Sequence, residues 1–140
     1  NIREMITNLV TLAQYQLPST TKLEFSIDGD EIVTLPQQGL HQALLNLIVN
    51  ASQAITEDDG HIKLEISHSA NEINISVEDN GTGFPDEMLK SRVQPFMTWK
   101  DNGTGLGMAI VRRFIQSLNG QLTMENVSPH GARVTLNLPC

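Results

Sequence analysis

Two glycine-rich pieces, Asp79-Asn80-Gly81-Thr82-Gly83 and Gly103-Thr104-Gly105-Leu106-Gly107, bracket a stretch with no sustained apolar period, while regular patterns run on both sides of it. Irregular segments of that length are uncommon in a compact domain unless they serve a function. Residues from about 84 to 106 therefore read as a lid, with a short helix expected near 86–92. The two glycine pieces would then be the hinges or walls of whatever the lid covers.

The patterns around the lid set the fold class. Ile2, Met5, Ile6, Leu9, Leu12 and Ala13 recur at three and four, the period of an amphipathic helix over 2–16 that Pro18 stops. Leu23, Phe25 and Ile27 alternate with polar residues as in a half-buried strand, closed by Asp28-Gly29-Asp30, and a short strand is expected at 31–35. Pro36 begins a central helix with Leu40, Leu44, Leu47, Ile48, Ala51, Ala54 and Ile55 on its buried side. The runs Ile62/Leu64/Ile66 and Ile73/Ile75/Val77 form a hairpin across a few polar residues. A third helix over 107–118 turns Ile110, Val111, Phe114, Ile115 and Leu118 inward and stops at Gly120; strands over 121–126 and 132–138 follow. Three hairpin-like strand pairs with three main helices give an α/β (α+β) two-layer sandwich, a mixed sheet with its helices on one face. At 140 residues and 39% hydrophobic, residues 1–140 make one domain with a substantial core.

Charge narrows the partners. A net charge of −7 disfavours nucleic acid, whose binding rests on Lys and Arg against phosphates. The apolar runs fall well short of the ~20 residues of a membrane helix. A single cysteine, Cys140, allows no internal disulfide and points to a reducing compartment; His41, His61, His68 and His130 lack metal-site spacing. The chain begins at Asn1 without a leader, which is expected of a piece of a larger protein.

Three places carry candidate chemistry. Period-two alternation puts Asp79 on the inward face with Ile73, Ile75 and Val77, so it is either a ligand-facing carboxylate or the Asx-turn residue that opens the loop. Asn46 and Asn50 lie about 40° apart around their helix at ~3.6 residues per turn, as two amides directed to one side or as the polar border of an apolar stripe. Amide oxygens suit Mg²⁺, and amide N–H groups suit phosphate. Gly103 to Gly107 places backbone N–H groups at a helix N-terminus, fit for phosphate or for a plain hinge. It is neither a P-loop nor a dinucleotide fingerprint.

In this order and spacing, Asn46/Asn50, Asp79–Gly83, Pro95-Phe96 and Gly103–Gly107 resemble the N, G1, F and G2 boxes of the histidine kinase catalytic domain, a branch of the GHKL (Bergerat-fold) ATPases. The likeness runs nearly end to end, from the first helix to the closing Gly131–Pro139 segment. It implies ATP and Mg²⁺ as cofactors, with Asp79 accepting from the adenine amino group, Gly81 and Gly83 beside the base, and Asn50 as the Mg²⁺ ligand. It also implies Asn46 at phosphate or water, Phe96 packing the lid, Lys100 at the β or γ phosphate, and Gly103, Thr104, Gly105, Leu106 and Gly107 around the phosphates. Lys100 reads equally as solvated lid charge.

Hydrolytic relatives with gyrase, mismatch-repair or chaperone roles carry a Glu base where this chain has Asn46. An amide takes no proton, so phosphoryl transfer to an external acceptor is expected, with Asn46 and Lys100 serving the transfer. The resemblance further implies that a histidine on a separate dimerisation domain receives the phosphoryl group and passes it to a response regulator receiver domain. The isolated piece is expected to be monomeric, the full protein a homodimer, and the location cytoplasmic, with room for a parent inner-membrane sensor. The alternatives are an anti-sigma-type serine kinase and a nucleotide-free regulatory module. His41 stands where the family often has Arg.

Overall fold

The computed structural model describes residues 2–18, 20–29, 35–55, 60–69, 71–81, 106–127 and 131–139. In chain order these form α1 (Ile2–Gln16), β1 (Thr21–Gly29), α2 (Gln37–Ala54), β2 (Gly60–His68), β3 (Glu72–Asp79), α3 (Leu106–Ser117), β4 (Gln121–Asn126) and β5 (Ala132–Pro139). The strands join in one five-stranded sheet of order β1-β2-β3-β5-β4. β1 and β2 are parallel, a pairing that the helical crossover α2 between them makes possible; the other neighbours are antiparallel. The sheet is mixed, as expected. The hairpins expected of β2–β3 and β4–β5 are present, whereas the proposed strand at 31–35 and the lid helix lie almost wholly outside the described residues.

One face of the sheet carries the core. Ile62, Leu64 and Ile66 of β2, Ile73, Ile75 and Val77 of β3, and Val134, Leu136 and Leu138 of β5 are all buried against Leu40, Leu44, Leu47 and Ile48 of α2 and Ile6 and Leu9 of α1. Fully burying one such side chain is worth about 1.5–3 kcal/mol, so this face, and not local propensity, holds the helices in place. The opposite face is polar. There Arg133 of β5 donates from Nε and Nη2 to Glu78 of β3, at 3.0 and 2.6 Å, and from Nη1 to Glu125 of β4 at 3.0 Å. Glu78 foremost, then Glu125, raises the Arg133 pKa above its ordinary value. Asn137 Nδ2 donates to Asn74 Oδ1 at 2.7 Å and to Glu72 Oε2 at 3.1 Å, a second polar rung between β5 and β3.

Several local expectations need correction. Pro36 is the N-cap of α2 and not its first helical residue: its φ of −64° and ψ of 107° are extended, and its C=O accepts the first turn's bond from Leu40 N–H at 3.0 Å. The stop of α3 is a Schellman motif whose left-handed residue is Asn119 (φ 58°), not Gly120. Asn119 N–H donates to Gln116 C=O at 3.1 Å and Gly120 N–H to Ile115 C=O at 2.9 Å. Gly120 is needed for another reason: a Cβ there would meet Leu138 Cδ2 at 2.6 Å and the Asn137 carbonyl at 2.7 Å. Ile110 is 48% exposed and Leu12 45% exposed, against the expectation that both face inward. Ile110 lies about 100° around α3 from buried Val111, on a more exposed side of the helix. Gly39 allows that contact, because a side chain there would run into the Phe114 ring.

Candidate functional site

Asp79 is the last residue of β3 and sits in the middle of the sheet, paired with Ile62 of β2 and Ala132 of β5. It is only 7% exposed, on the face that α2 covers. The turn reading holds here, and the inward aim that alternation predicts holds with it. The carboxylate is inward, and its Oδ1 also accepts the Gly81 N–H at 2.8 Å, closing an Asx-turn as the chain leaves the strand. Gly81 is itself buried. A carboxylate among Ile62, Val77 and Ala132 is costly unless hydrogen-bonded, and the turn N–H supplies one such bond.

Asn46 and Asn50 come from α2, half-buried at the border of its apolar stripe. Gln42, one turn earlier, donates from Nε2 to Asn46 Oδ1 at 3.2 Å, which fixes the amide orientation. Asn46 Nδ2 is thereby left buried and without a hydrogen-bond partner among the described residues. A native interior rarely tolerates an orphan donor, so this N–H₂ fits an anionic or carbonyl ligand more readily than a border role. Leu106 and Gly107 form the first turn of α3, which packs on α2, so that the orphan N–H groups of this helix start belong to the same layer as the two asparagines. Gly83, Phe96, Lys100, Gly103, Thr104 and Gly105 lie outside the described residues, as does Cys140.

Two contributors escaped the sequence reading. Gly131, with φ 130°, backs the Asp79 main chain so closely that a Cβ would collide with the Asp79 carbonyl oxygen and stand 3.2 Å from Asn80 Cα. Its signal was a glycine just ahead of an alternating run, which reads as turn punctuation. Asn80 is the other: its Oδ1 accepts the His61 N–H at 2.8 Å while its own N–H donates to the His61 C=O at 3.2 Å. Asn-Gly reads as a turn and gives no hint of a cross-strand clamp.

The comparisons with known proteins bear on the family and the fold. The family model described as histidine kinase-, DNA gyrase B-, and HSP90-like ATPase matches residues 36–140. The tetrathionate sensor histidine kinase TtrS of Salmonella typhimurium is 35% identical over 139 residues, covering 96% of this chain and 23% of its own length. The signal transduction histidine-protein kinase AtoS of Escherichia coli is 40% identical over 101 residues, 71% of this chain and 16% of its own. Sporulation kinase B of Bacillus subtilis is 28% identical over 99% of this chain and 32% of its own length. The chain thus spans a third or less of these curated relatives. Among solved structures, the nucleotide-free catalytic domain of histidine kinase ThkA superposes with a TM-score of 0.86 at 27% identity, over 99% of this chain and 92% of that one. Full-length ShkA in complex with AMPPNP shares the fold, with a TM-score of 0.85 at 22% identity over 99% of this chain and 30% of that one. Among the described residues no helix is long and apolar enough to cross a membrane. With a family model matched over three quarters of its length, the chain belongs to the family of histidine kinase-, DNA gyrase B-, and HSP90-like ATPases.

Proposed function

We propose that this chain is the ATP-binding catalytic domain of a sensor histidine kinase, which binds Mg²⁺·ATP and presents the γ-phosphoryl group to a histidine on a separate dimerisation domain. The observation that carries the reading is the Asp79 carboxylate buried at the end of β3, together with an Asn46 N–H₂ that is buried and without a partner among the described residues on α2, the helix that packs on β3. One is an acceptor fit for a base amino group, the other a donor fit for a phosphate oxygen. Two relatives that match nearly all of this chain, TtrS and ZraS of Salmonella typhimurium, are sensor histidine kinases, and a solved neighbour of the same fold holds an ATP analogue.

In this reading Asp79 accepts from the adenine amino group, Gly81 and Gly83 let the backbone approach the base, and the start of α3 receives the phosphates. Asn50 would hold Mg²⁺ through its amide oxygen; the ion, when bound, neutralises charge on the phosphates. Asn46 steadies a phosphate oxygen and, having no basic atom, leaves water unactivated. Lys100 pairs with the β or γ phosphate from the lid, Phe96 packs the lid, and Thr104 adds a hydroxyl contact. The imidazole nitrogen of the acceptor forms the N–P bond as the bond from the γ phosphorus to the bridging oxygen breaks and ADP departs. Such transfer rests mainly on positioning and charge neutralisation, which suits a site without a general base. The acceptor helix, a receiver-domain partner for the phosphohistidine, homodimerisation of the parent and a cytoplasmic location belong to the same reading. A relative of the same fold, ThkA, has been solved in complex with its response regulator protein.

The test is a titration with Mg²⁺·ADP by calorimetry and by emission of Trp99, the single tryptophan, with Asp79→Asn in parallel. Saturable binding lost in Asp79→Asn supports the pocket, and an acid-labile label on an added histidine-bearing helical domain supports the transfer. An acid-stable label would favour the serine kinase, and absence of nucleotide binding would leave a purely protein-binding module.

A further inference from the structure

The β2–β3 ladder runs from His68↔Ile73 to Ile62↔Asp79, and the next residues in register are His61 and Asn80. In a continued antiparallel ladder this pair would exchange two main-chain hydrogen bonds. Asn80 makes half of that exchange with its backbone, donating its N–H to the His61 C=O at 3.2 Å. The other half is made by its side chain, since the His61 N–H donates to Asn80 Oδ1 at 2.8 Å. The amide oxygen stands where a main-chain carbonyl would otherwise be required. Both polar groups of His61 are satisfied, and the main chain is able to leave the strand one residue early.

That early departure sets up Asp79. Turning at Asn80 brings the Gly81 N–H back onto Asp79 Oδ1 at 2.8 Å, while Gly131 walls off the Asp79 main chain from the β5 side. His61 is in turn tied sideways, its imidazole Nε2 paired with Glu24 of β1. Asn80 acts on this turn through its side chain, whose reach and acceptor are both used. We propose that Asn80 is a positioning residue of the nucleotide site: by ending the β2–β3 ladder with its side-chain oxygen it holds the Asp79 carboxylate in the orientation that reads a base's exocyclic amino group. The proposal rests on the role given to Asp79 above.

The experiment compares Mg²⁺·ATP with Mg²⁺·ITP, whose base carries a carbonyl in place of the amino group, by calorimetry on the unchanged chain and on Asn80→Leu, Asn80→Asp and Asp79→Asn. Asn80→Leu keeps the size and removes the acceptor. It is expected to weaken ATP about tenfold, as when the competent fraction falls to about a tenth, and to leave ITP nearly unchanged. Asn80→Asp keeps an acceptor at the same reach; its added charge weakens both nucleotides alike, so the ATP-to-ITP ratio stays that of the unchanged chain. A merely structural role would move both nucleotides in parallel in every variant. An unchanged ratio in Asn80→Leu, or a ratio lost as fully in Asn80→Asp, overturns the proposal. If Asp79→Asn retains the ATP preference, the role of Asp79 itself falls; if it loses the preference while Asn80→Leu does not, only the Asn80 inference falls. Unfolding temperatures identify a variant that fails to fold, and Asn80→Ala then replaces Asn80→Leu under the same criteria.

Discussion

Replacing Gly131 by alanine should damage the nucleotide site through the main chain, and the same change at Gly29 provides the control. Both glycines adopt positive φ, 130° and 100°, and at both a Cβ would collide with a backbone carbonyl oxygen, that of Asp79 or that of His68. A side chain held in such a conformation costs of order 1–3 kcal/mol, and relieving the clash by moving a strand adds to it, so about 3 kcal/mol is expected at either position. With an unfolding entropy of about 2.1 cal/mol/K per residue, that loss lowers Tm by about 10 °C in a chain of this size. It leaves most of the molecule folded if stability lies in the usual range of ~5–15 kcal/mol. The two variants should diverge in binding. Gly29 pairs with His68 where β1 and β2 end, remote in the ladder from Asp79, whereas Gly131 presses on Asp79 and Asn80 themselves. Gly131→Ala should therefore weaken Mg²⁺·ATP by at least about tenfold, near 1.4 kcal/mol, while Gly29→Ala keeps the original affinity at a similar Tm. Differential scanning calorimetry and titration calorimetry read the two quantities. Equal affinity losses would show that general destabilisation, not displacement of Asp79, governs binding, and an unchanged Tm in either variant would refute the steric argument.

Asn46→Asp replaces the orphan N–H₂ by a charged oxygen of the same shape; it should weaken Mg²⁺·ATP by more than tenfold and leave adenosine binding unaltered, as calorimetry with both ligands would show. Ile75→Ala, at a fully buried position in the central strand, should cost about 2–5 kcal/mol in urea unfolding with little change in slope. Asn119→Gly should raise stability by up to about 1 kcal/mol and Asn119→Ala lower it by about 1–2 kcal/mol, because only the left-handed residue of the α3 stop is altered. Arg133→Lys loses the forked contact with Glu78 and Glu125; with the side chain 39% exposed, screening holds the loss below about 1 kcal/mol, and the difference should shrink further at high salt.

The parts legible in the sequence were those where one periodicity dominates over many residues. The α1 and α2 stripes and the alternation through Ile62–Ile66 and Ile73–Val77 are repeated signals, and they placed the layers and the inward aim of Asp79 before any coordinate. Alternation even carried past the strand's last apolar residue to find the carboxylate. What stayed hidden depends on a neighbour distant in sequence. Nothing near Ile110 tells that it is left exposed, and nothing near Gly131 tells that Asp79 lies behind it. Gly120 was read as a helix stop when Asn119 performs that role and Gly120 instead makes room for Leu138, so the right position was marked for a reason that only packing reveals. The Asn80 clamp is hidden in the same way, since its partner is His61.

These observations share one physical origin. Inside a ladder or a helix the backbone satisfies itself and a ligand finds nothing to bind; polar groups become available only where the regular pattern ends. Asp79 is the last residue of β3, Asn80 the point where the β2–β3 ladder changes from main chain to side chain, Gly131 the residue before β5, and Leu106 the first of α3. The end of β3 and the start of α3 thus belong to elements that both pack on α2, the helix that carries Asn46 and Asn50. The core contributes as well: Ile62, Ile75, Leu136 and Ile48, all buried, hold the strands that carry these ends, while Asn80 and Asp79 fix the turn itself. A substitution that extended a ladder into this region, such as one that let β2 and β3 continue as main-chain partners past Asp79, would satisfy the backbone and close the site.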